Sequence, residues 1–278
     1  MTRADIEKRL AAAGIEEARE EAMLLFCRFA GRSRAMALAE PHADCANGAL
    51  EGALSRREGG EPLAYILGVA YFYKEEYEVA SGVLIPRADT ERLVEEAVRR
   101  LPQNGRFADF CTGSGCIAIS TLAARPDAAA DAFDISPAAL SLATRNAVKN
   151  GVEKRVDFYE YDLLGAPVCS ENRIFARAPY DLILSNPPYL SAAEMAARDK
   201  SVLAEPTLAL DGGEDGLRFY RHFLSAYTPL LTPTGAFLFE IGWEQGDALR
   251  ALGEEWGLAV EILCDYGGRE RVAVLSRR

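Results

Sequence analysis

Residues 106–124 read RFADFCTGSGCIAISTLAA, and the fold turns on this stretch. Arg106–Phe110 has the makings of a short strand. A turn with two glycines follows, Gly113 and Gly115, and residues 114–124 are an Ala/Ile-rich helical segment. The same alternation repeats downstream. Strands are expected at 129–135, 156–161, 180–185 and 235–241, helices at 137–150, 217–231 and 245–256, and a closing antiparallel pair at 259–265 and 271–276. Strands alternating with helices predict an α/β domain built on a doubly wound sheet.

Upstream, the pattern differs. Residues 1–60 carry apolar positions at mixed three and four spacing, among them Ile6, Leu10, Leu25 and Phe26, punctuated by Gly14, Gly31, Pro41 and Gly48. These are short helices, and a small bundle is expected. The aromatic run from Tyr71 to Lys74, the run from Tyr77 to Ala80, a turn at Ser81-Gly82 and then Val83-Leu84-Ile85 predict a β-hairpin over 68–85. Thr90 is expected to cap a helix running to Leu101, with Glu91 in its first turn. The expected domains are therefore a bundle (1–67), a hairpin linker (68–85) and an α/β domain (86–278).

Composition narrows the function classes. The 278 residues carry a net charge of −11. Residues 1–70 hold nine Lys/Arg and eleven Asp/Glu, so most of the excess lies in the α/β part. An acidic body lacks the counterion-release term that drives general nucleic-acid binding. No stable nucleic-acid binding is expected, and a protein substrate is favoured. Two histidines and six cysteines without metal spacing give little support to a zinc or Ser-His-Asp hydrolase and point to reduced thiols. No apolar run is long enough for a membrane span. The opening Met1-Thr2-Arg3-Ala4-Asp5 lacks the core of a signal peptide, so a cytoplasmic location is expected.

The candidate ligand loop is Cys111-Thr112-Gly113-Ser114-Gly115, at a strand's carboxyl end. Ligands of doubly wound sheets bind there. Glycines admit close backbone approach, and the following helix start favours an anionic group. Asp134 ends the next strand, 19 residues after Gly115. Its two oxygens can accept both hydroxyls of a ribose. That fits NAD and S-adenosylmethionine alike, and a helix cap ahead of Pro137 is the plain alternative. Asp162 closes the third strand and can accept from an adenine amino group.

Asn186-Pro187-Pro188-Tyr189 follows the strand at 180–185 directly. A rigid turn of two prolines is the structural alternative. The chemical reading is a clamp for a planar nitrogen. An amide nitrogen is a poor nucleophile because its lone pair is delocalised. The Asn186 side-chain oxygen and the Pro187 carbonyl can hold its two N–H groups, and Tyr189 can stack on its plane. In-line approach of an activated methyl carbon then suffices. Exocyclic amines of adenine or cytosine would suit the clamp equally.

With these motifs in order, the chain resembles the release-factor glutamine methyltransferases, the HemK/PrmC-like family. The likeness runs from the helical N-terminal region through Leu84-Ile85-Pro86-Arg87, Thr90-Glu91, the glycine loop, Asp134-Ile135-Ser136-Pro137, Asn146-Ala147 and the Asn-Pro-Pro-Tyr loop. It continues through Glu205-Pro206, Gly212-Gly213, Asp215-Gly216-Leu217 and Glu240-Ile241-Gly242 to Asp265-Tyr266 and Arg271. The resemblance implies a class I, seven-stranded S-adenosylmethionine-dependent fold, and a monomer is expected. It implies that Cys111, Thr112, Gly113, Ser114, Gly115 and Asp134 hold the cofactor, with Asp162 and Leu163 beside the adenine and Asn186 touching cofactor and substrate. The implied substrate is the glutamine of a Gly-Gly-Gln loop in a peptide chain release factor, gripped partly by the N-terminal bundle. Segments at 205–206 and 211–216 are either surface loops or a lid.

Cys111 stands where the family usually has glycine. A residue with a Cβ takes a positive φ at a cost, so the loop is expected to enter differently. Residues 165–179 look like a modest insertion. Competing readings are a ribosomal-protein glutamine or a nucleic-acid adenine as acceptor, a non-catalytic S-adenosylmethionine-binding module, and an NAD oxidoreductase, which would leave the Asn-Pro-Pro-Tyr loop unexplained.

Overall fold

A computed structural model describes residues 1–45, 48–165, 175, 177–197 and 205–278. The chain divides into two compact units with a boundary at Val69/Ala70. The first is helical: α1 (Arg3–Ala12), α2 (Ala18–Ala30), α3 (Arg34–Ala39), α4 (Gly48–Glu58) and α5 (Leu63–Leu67). Thr2 and Asp5 form a reciprocal cap on α1, satisfying backbone donors that the helix leaves open. Ile6, Leu10, Leu25, Phe26 and Leu54 are buried in one cluster, and Arg57 pairs with Glu21 between α4 and α2.

The second unit holds a seven-stranded sheet in the order β5-β4-β3-β6-β7-β9-β8. The strands are β3 (Arg106–Phe110), β4 (Ala129–Asp134), β5 (Val156–Glu160), β6 (Tyr180–Ser185), β7 (Leu231–Glu240), β8 (Leu258–Cys264) and β9 (Glu270–Arg277). The first five are mutually parallel. β9 enters antiparallel to β7 and β8. Helices α6 (Glu91–Arg100), α7 (Cys116–Ala124), α8 (Pro137–Lys149), α9 (Ala192–Ala196), α10 (Arg218–His222) and α11 (Gly246–Glu255) complete it. Both faces of the central strands are buried: Phe107, Leu182 and Leu238 lie in one core cluster, and Phe110, Ile183 and Phe239 in another. This is why these strands read as near-continuous apolar runs.

Three local expectations are corrected. The hairpin is shorter than 68–85: β1 (Val69–Phe72) and β2 (Glu75–Glu78) turn at Tyr73-Lys74, where Tyr73 has φ 58°. Val83, Leu84 and Ile85 are not a strand, and line a cavity instead. Thr90 does not cap α6 through its side chain, because its hydroxyl is committed to Glu240. The helix expected at 217–231 breaks into α10, a π-turn over Phe223–Tyr227 and a 3-10 turn over Thr228–Leu230. Pro229 cannot continue the ladder, and the Tyr227 hydroxyl is tied to Tyr161 and to the Leu163 carbonyl, 3.1 and 3.0 Å away. Of the expected insertion at 165–179, residues 166–174 and 176 lie outside the described residues. Phe175 packs on Phe133 and Tyr161, and Arg177 pairs with Asp131 and Asp157.

Candidate active site

The sheet register assembles the site. β3 is the strand from which the chain first winds one way, to β4 and β5, and then the other, to β6 and β7. Such a switch point opens a crevice at the carboxyl edge. Phe110 pairs with Phe133 on one side and Ser185 on the other, and Ser185 pairs with Phe239. The next residue on each strand is therefore Asp134, Cys111, Asn186 and Glu240, in one row. At ordinary strand spacing the row is roughly 14 Å long.

Cys111 takes φ 58°, so the loop keeps the left-handed turn where a different entry was expected. A left-handed non-glycine residue costs about 1–2 kcal/mol. The loop offsets this with bonds that need the turn: Thr112 N–H donates to the Phe133 carbonyl at 3.0 Å, and Gly113 N–H to Asp134 at 2.8 Å. Gly115 requires glycine twice over. Its φ is +83°, and a Cβ there would sit 2.8 Å from Ile119 Cδ1 and 3.1 Å from Ala143 Cβ.

Asp134 also accepts the Ser136 N–H at 2.9 Å. Ser136, not Asp134, supplies the side-chain cap of α8. One backbone donor on each carboxylate oxygen fixes its plane and leaves lone pairs for hydroxyl donors. Burial raises its pKa, with the Ser136 and Gly113 donors opposing. Beneath the loop, Asp109 is fully buried and accepts the Thr112 hydroxyl at 2.6 Å. Burial pushes its carboxyl up to about 7, and its Oδ1 has no partner among the described residues.

On the other side, Asn186 Nδ2 reaches Thr90 Oγ1 at 3.4 Å, and the Tyr189 hydroxyl lies 3.4 Å from Glu240 Oε1. Among the described residues, neither Asn186 Oδ1 nor the Pro187 carbonyl is engaged. The Tyr189 backbone is braced from behind. Gln245 Nε2 donates to its carbonyl at 3.0 Å, Leu190 N–H to the Leu210 carbonyl at 2.9 Å, and Gly212 N–H to the Leu190 carbonyl at 2.8 Å. A Cβ on Gly212 would meet the Tyr189 backbone at 2.8 Å, and one on Gly216 the Tyr189 carbonyl at 2.3 Å. Residues 211–216 thus pack against the Asn-Pro-Pro-Tyr backbone.

A cavity of ≈ 410 Å³ follows this edge. Of the residues singled out from the sequence, Cys111, Thr112, Gly113, Ser114, Asp134, Asp162, Leu163, Asn186 and Pro188 line it; Gly115, Pro187 and Tyr189 do not. Gly115 underlies the loop, and Tyr189 packs against the adjoining core. Val83, Leu84 and Ile85 form a wall although their sequence reads as a linker, and Pro206, from the segment expected to be a surface loop or a lid, closes another with Leu208 and Ala209, which the sequence reading had not placed there. Glu205 secures both walls, accepting the Ile85 N–H at 3.4 Å and the Arg87 guanidinium at 2.5 Å. Glu240 was also missed. Its signal was an acid ending an apolar strand, as in Asp134. Burial pushes its carboxyl up to about 7, against the Thr90 hydrogen bond and Arg271. Among the described residues no cluster of His, Cys, Asp or Glu is placed to hold a metal, and no helix is long and apolar enough to cross a membrane.

Five parallel strands closed by an antiparallel insertion, with a glycine loop after the central strand, form the fold of the class I methyltransferases. The ribosomal protein L11 methylase of Lactobacillus delbrueckii subsp. bulgaricus shares this fold, with a TM-score of 0.51 and 19% identity over 72% of this chain and 84% of that one. A model described as PrmC N-terminal domain matches residues 2–68, and one described as Methyltransferase small domain matches residues 72–212. The release factor glutamine methyltransferase of Moorella thermoacetica is 40% identical, covering 98% of this chain and 95% of its own. That of Salmonella typhimurium is 37% identical, covering 91% and 89%. The chain belongs to the release factor glutamine methyltransferase family.

Proposed function

We propose that the enzyme methylates the side-chain amide nitrogen of the glutamine in the Gly-Gly-Gln loop of a peptide chain release factor. The observation that carries this reading is the register at the carboxyl edge. It sets the Asn186-Pro187-Pro188-Tyr189 loop beside the glycine turn on the neighbouring strand, with both turns contributing to one cavity.

The donor set suits S-adenosylmethionine. Asp134 would accept the ribose hydroxyls with the lone pairs left by its two backbone donors. Residues 111–115 and the start of α7 would take the amino-acid end, whose carboxylate suits the partial positive charge of a helix start. Asp162 and Leu163 would flank the adenine, beside apolar Ile135 and Leu164. The cavity lies within the range of small-ligand sites. When bound, the cofactor supplies a methyl carbon made electrophilic by its sulfonium.

The chain's own residues do the rest. Asn186 Oδ1 and the Pro187 carbonyl accept the two amide N–H groups, fixing the nitrogen on its line of attack. Tyr189 lies beside the cavity, outside its lining, with its backbone braced by Gln245, Gly212 and Gly216, and its ring would have to meet the amide plane from the core side. The amide proton becomes acidic as the methyl arrives, so no strong base is needed. The division into a partner-gripping bundle (1–67), a linker (68–85) and a methyltransferase domain (86–278) belongs to this proposal. So do a monomeric state, a cytoplasmic location and the absence of stable nucleic-acid binding.

The test is a mass spectrum of a full-length release factor before and after incubation with enzyme and S-adenosylmethionine, with the modified residue located. One added methyl on the Gly-Gly-Gln glutamine is expected. Methyl transfer to DNA, RNA or a ribosomal-protein glutamine with the release factor untouched would overturn it.

A further inference from the structure

We propose that Glu240 is a positioning residue for the acceptor site. Its carboxylate sets the hydrogen-bonding sense of the Thr90 hydroxyl, and this turns the Asn186 carboxamide so that its oxygen faces the acceptor amide. The inference rests on the glutamine-methylating reading and extends it to two residues outside the Asn-Pro-Pro-Tyr loop.

Counting protons fixes the sense of the chain. Thr90 lies in a 3-10 turn (Ala88–Thr90) ahead of α6, 2% exposed, and Glu240 ends β7, also 2% exposed. Thr90 Oγ1 donates to Glu240 Oε2 at 2.5 Å, and Asn186 Nδ2 lies 3.4 Å from the same Oγ1. A hydroxyl has one proton and two lone pairs. A carboxylate has no proton to give, so it claims the one on Thr90. Only lone pairs then remain for Asn186, which must present its NH₂ to Thr90. Its Oδ1 points the opposite way. The bond to the carboxylate is short and charge-assisted and the bond to Asn186 is long, so the sense is imposed from Glu240 outward.

The reverse sense would defeat the site. With a neutral amide in place of the carboxylate, Thr90 is free to donate to Asn186 Oδ1. The carboxamide then turns over and offers NH₂ to a substrate NH₂, donor against donor. Glu240 Oε1 also receives the Tyr189 hydroxyl at 3.4 Å, so one carboxylate ties both ends of the Asn-Pro-Pro-Tyr loop.

The charged and titratable groups around Glu240 come from every element packed on it. They are Asp89 beside Thr90, Tyr189 after β6, Tyr220 on α10, Arg271 on β9 and Cys116 at the start of α7. The Tyr220 hydroxyl bonds the Glu240 backbone carbonyl at 2.8 Å. Arg271 is engaged with Asp89 and Asp265, at 3.2 and 3.5 Å, and with the Ile241 carbonyl at 3.4 Å. Direct contacts to the Glu240 carboxylate therefore come from hydroxyls, and burial holds its pKa up near 7. Acidification through that value gives Glu240 a proton of its own, so Thr90 is no longer compelled to donate to it.

The experiment uses the full chain, a full-length release factor and four variants. Three are single, Glu240→Gln, Thr90→Val and Thr90→Ser; the fourth combines Glu240→Gln with Thr90→Val. Glu240→Gln and Thr90→Val should each lower kcat/KM roughly 10- to 100-fold, the size of one charge-assisted hydrogen bond. The double variant should be no worse than the weaker single variant, because both changes break the same chain. Thr90→Ser, which keeps the hydroxyl, should stay within about threefold of wild type on the same reasoning. The wild-type kcat/KM should fall below about pH 7, and Glu240→Gln should flatten that acid limb. Wild-type kcat/KM in Glu240→Gln, or multiplying losses in the double variant, would overturn the proposal. Should Glu240→Gln fail to fold, the contrast between Thr90→Val and Thr90→Ser decides: equal losses in both overturn it. A wild-type enzyme that leaves the release factor unmodified refutes the functional reading instead.

Discussion

On the β3–β4 side of the carboxyl edge, the groups facing the cavity are held by backbone. On the β6–β7 side they are held by side chains. Asp134 is fixed by the N–H groups of Gly113 and Ser136, and the loop around it by left-handed residues at 111, 113 and 115. Asn186 is turned by Thr90, which is turned by Glu240, and Tyr189 is propped by Gln245 and two glycines. The difference fits the tasks. A cofactor needs a rigid recess matched to its hydroxyls and its anionic end. An amide acceptor needs oxygens aimed in one sense, which only the placement of protons among side chains can set. Two buried carboxyls mark the two halves, Asp109 under the loop and Glu240 behind the clamp.

Asn186 offers the most severe test of this division. Asn186→Ala removes the side-chain oxygen proposed to accept from the amide. Methyl transfer should fall by ~10²–10³-fold, as for loss of one preorganised polar group at a reacting centre. Cofactor affinity, measured by calorimetry, should change far less. Comparable losses in both would mean that the two sides do not divide the work.

Asp134→Ala probes the opposite half. Losing an acceptor of charge-assisted bonds should weaken S-adenosylmethionine binding by about 1.5–3 kcal/mol, while the KM for release factor at saturating cofactor moves little. Unchanged affinity would remove Asp134 from the cofactor site.

A separate test is one of stability against pH. Asp109 and Glu240 have folded pKa values raised to about 7 from 3.8 and 4.5. A carboxyl whose folded value is raised favours folding below its unfolded pKa, and that stability is lost as pH rises through the folded value. Between about pH 4 and 7 each group should reduce unfolding free energy with a slope approaching 1.4 kcal/mol per pH unit. Denaturant titrations at pH 5, 6, 7 and 8 check this. Asp109→Asn should flatten one share of the slope without touching the acid limb of activity that Glu240 sets. A flat wild-type profile would show that both carboxyls ionise freely.

Much of the molecule was legible along the chain. The β3 and β6 bounds, 106–110 and 180–185, match the reading from sequence, since strands buried on both faces are dominated by apolar residues even with an acid in each, Asp109 and Asp181. The glycine loop, Asp134 and Asn186 stand at strand ends and line one cavity, at the positions the sequence reading gave them. The unbroken helix expected at 217–231 does not form, because the pull of Tyr161 and Leu163 on Tyr227 is invisible in local periodicity. Thr90 reads as a cap because a threonine before a helix ordinarily is one.

Amino-acid order alone settled what is local and periodic: which segments are strands or helices, where the chain turns, and which residue types stand ready for chemistry. Adjacency came only with the folded arrangement. Thr90 and Glu240 are 150 residues apart and share a proton. Cys111 accepts a left-handed backbone because bonds to β4 require the turn there. Register between neighbouring strands is a cooperative property of the whole sheet, so the row from Asp134 to Glu240 exists only once the strands have paired.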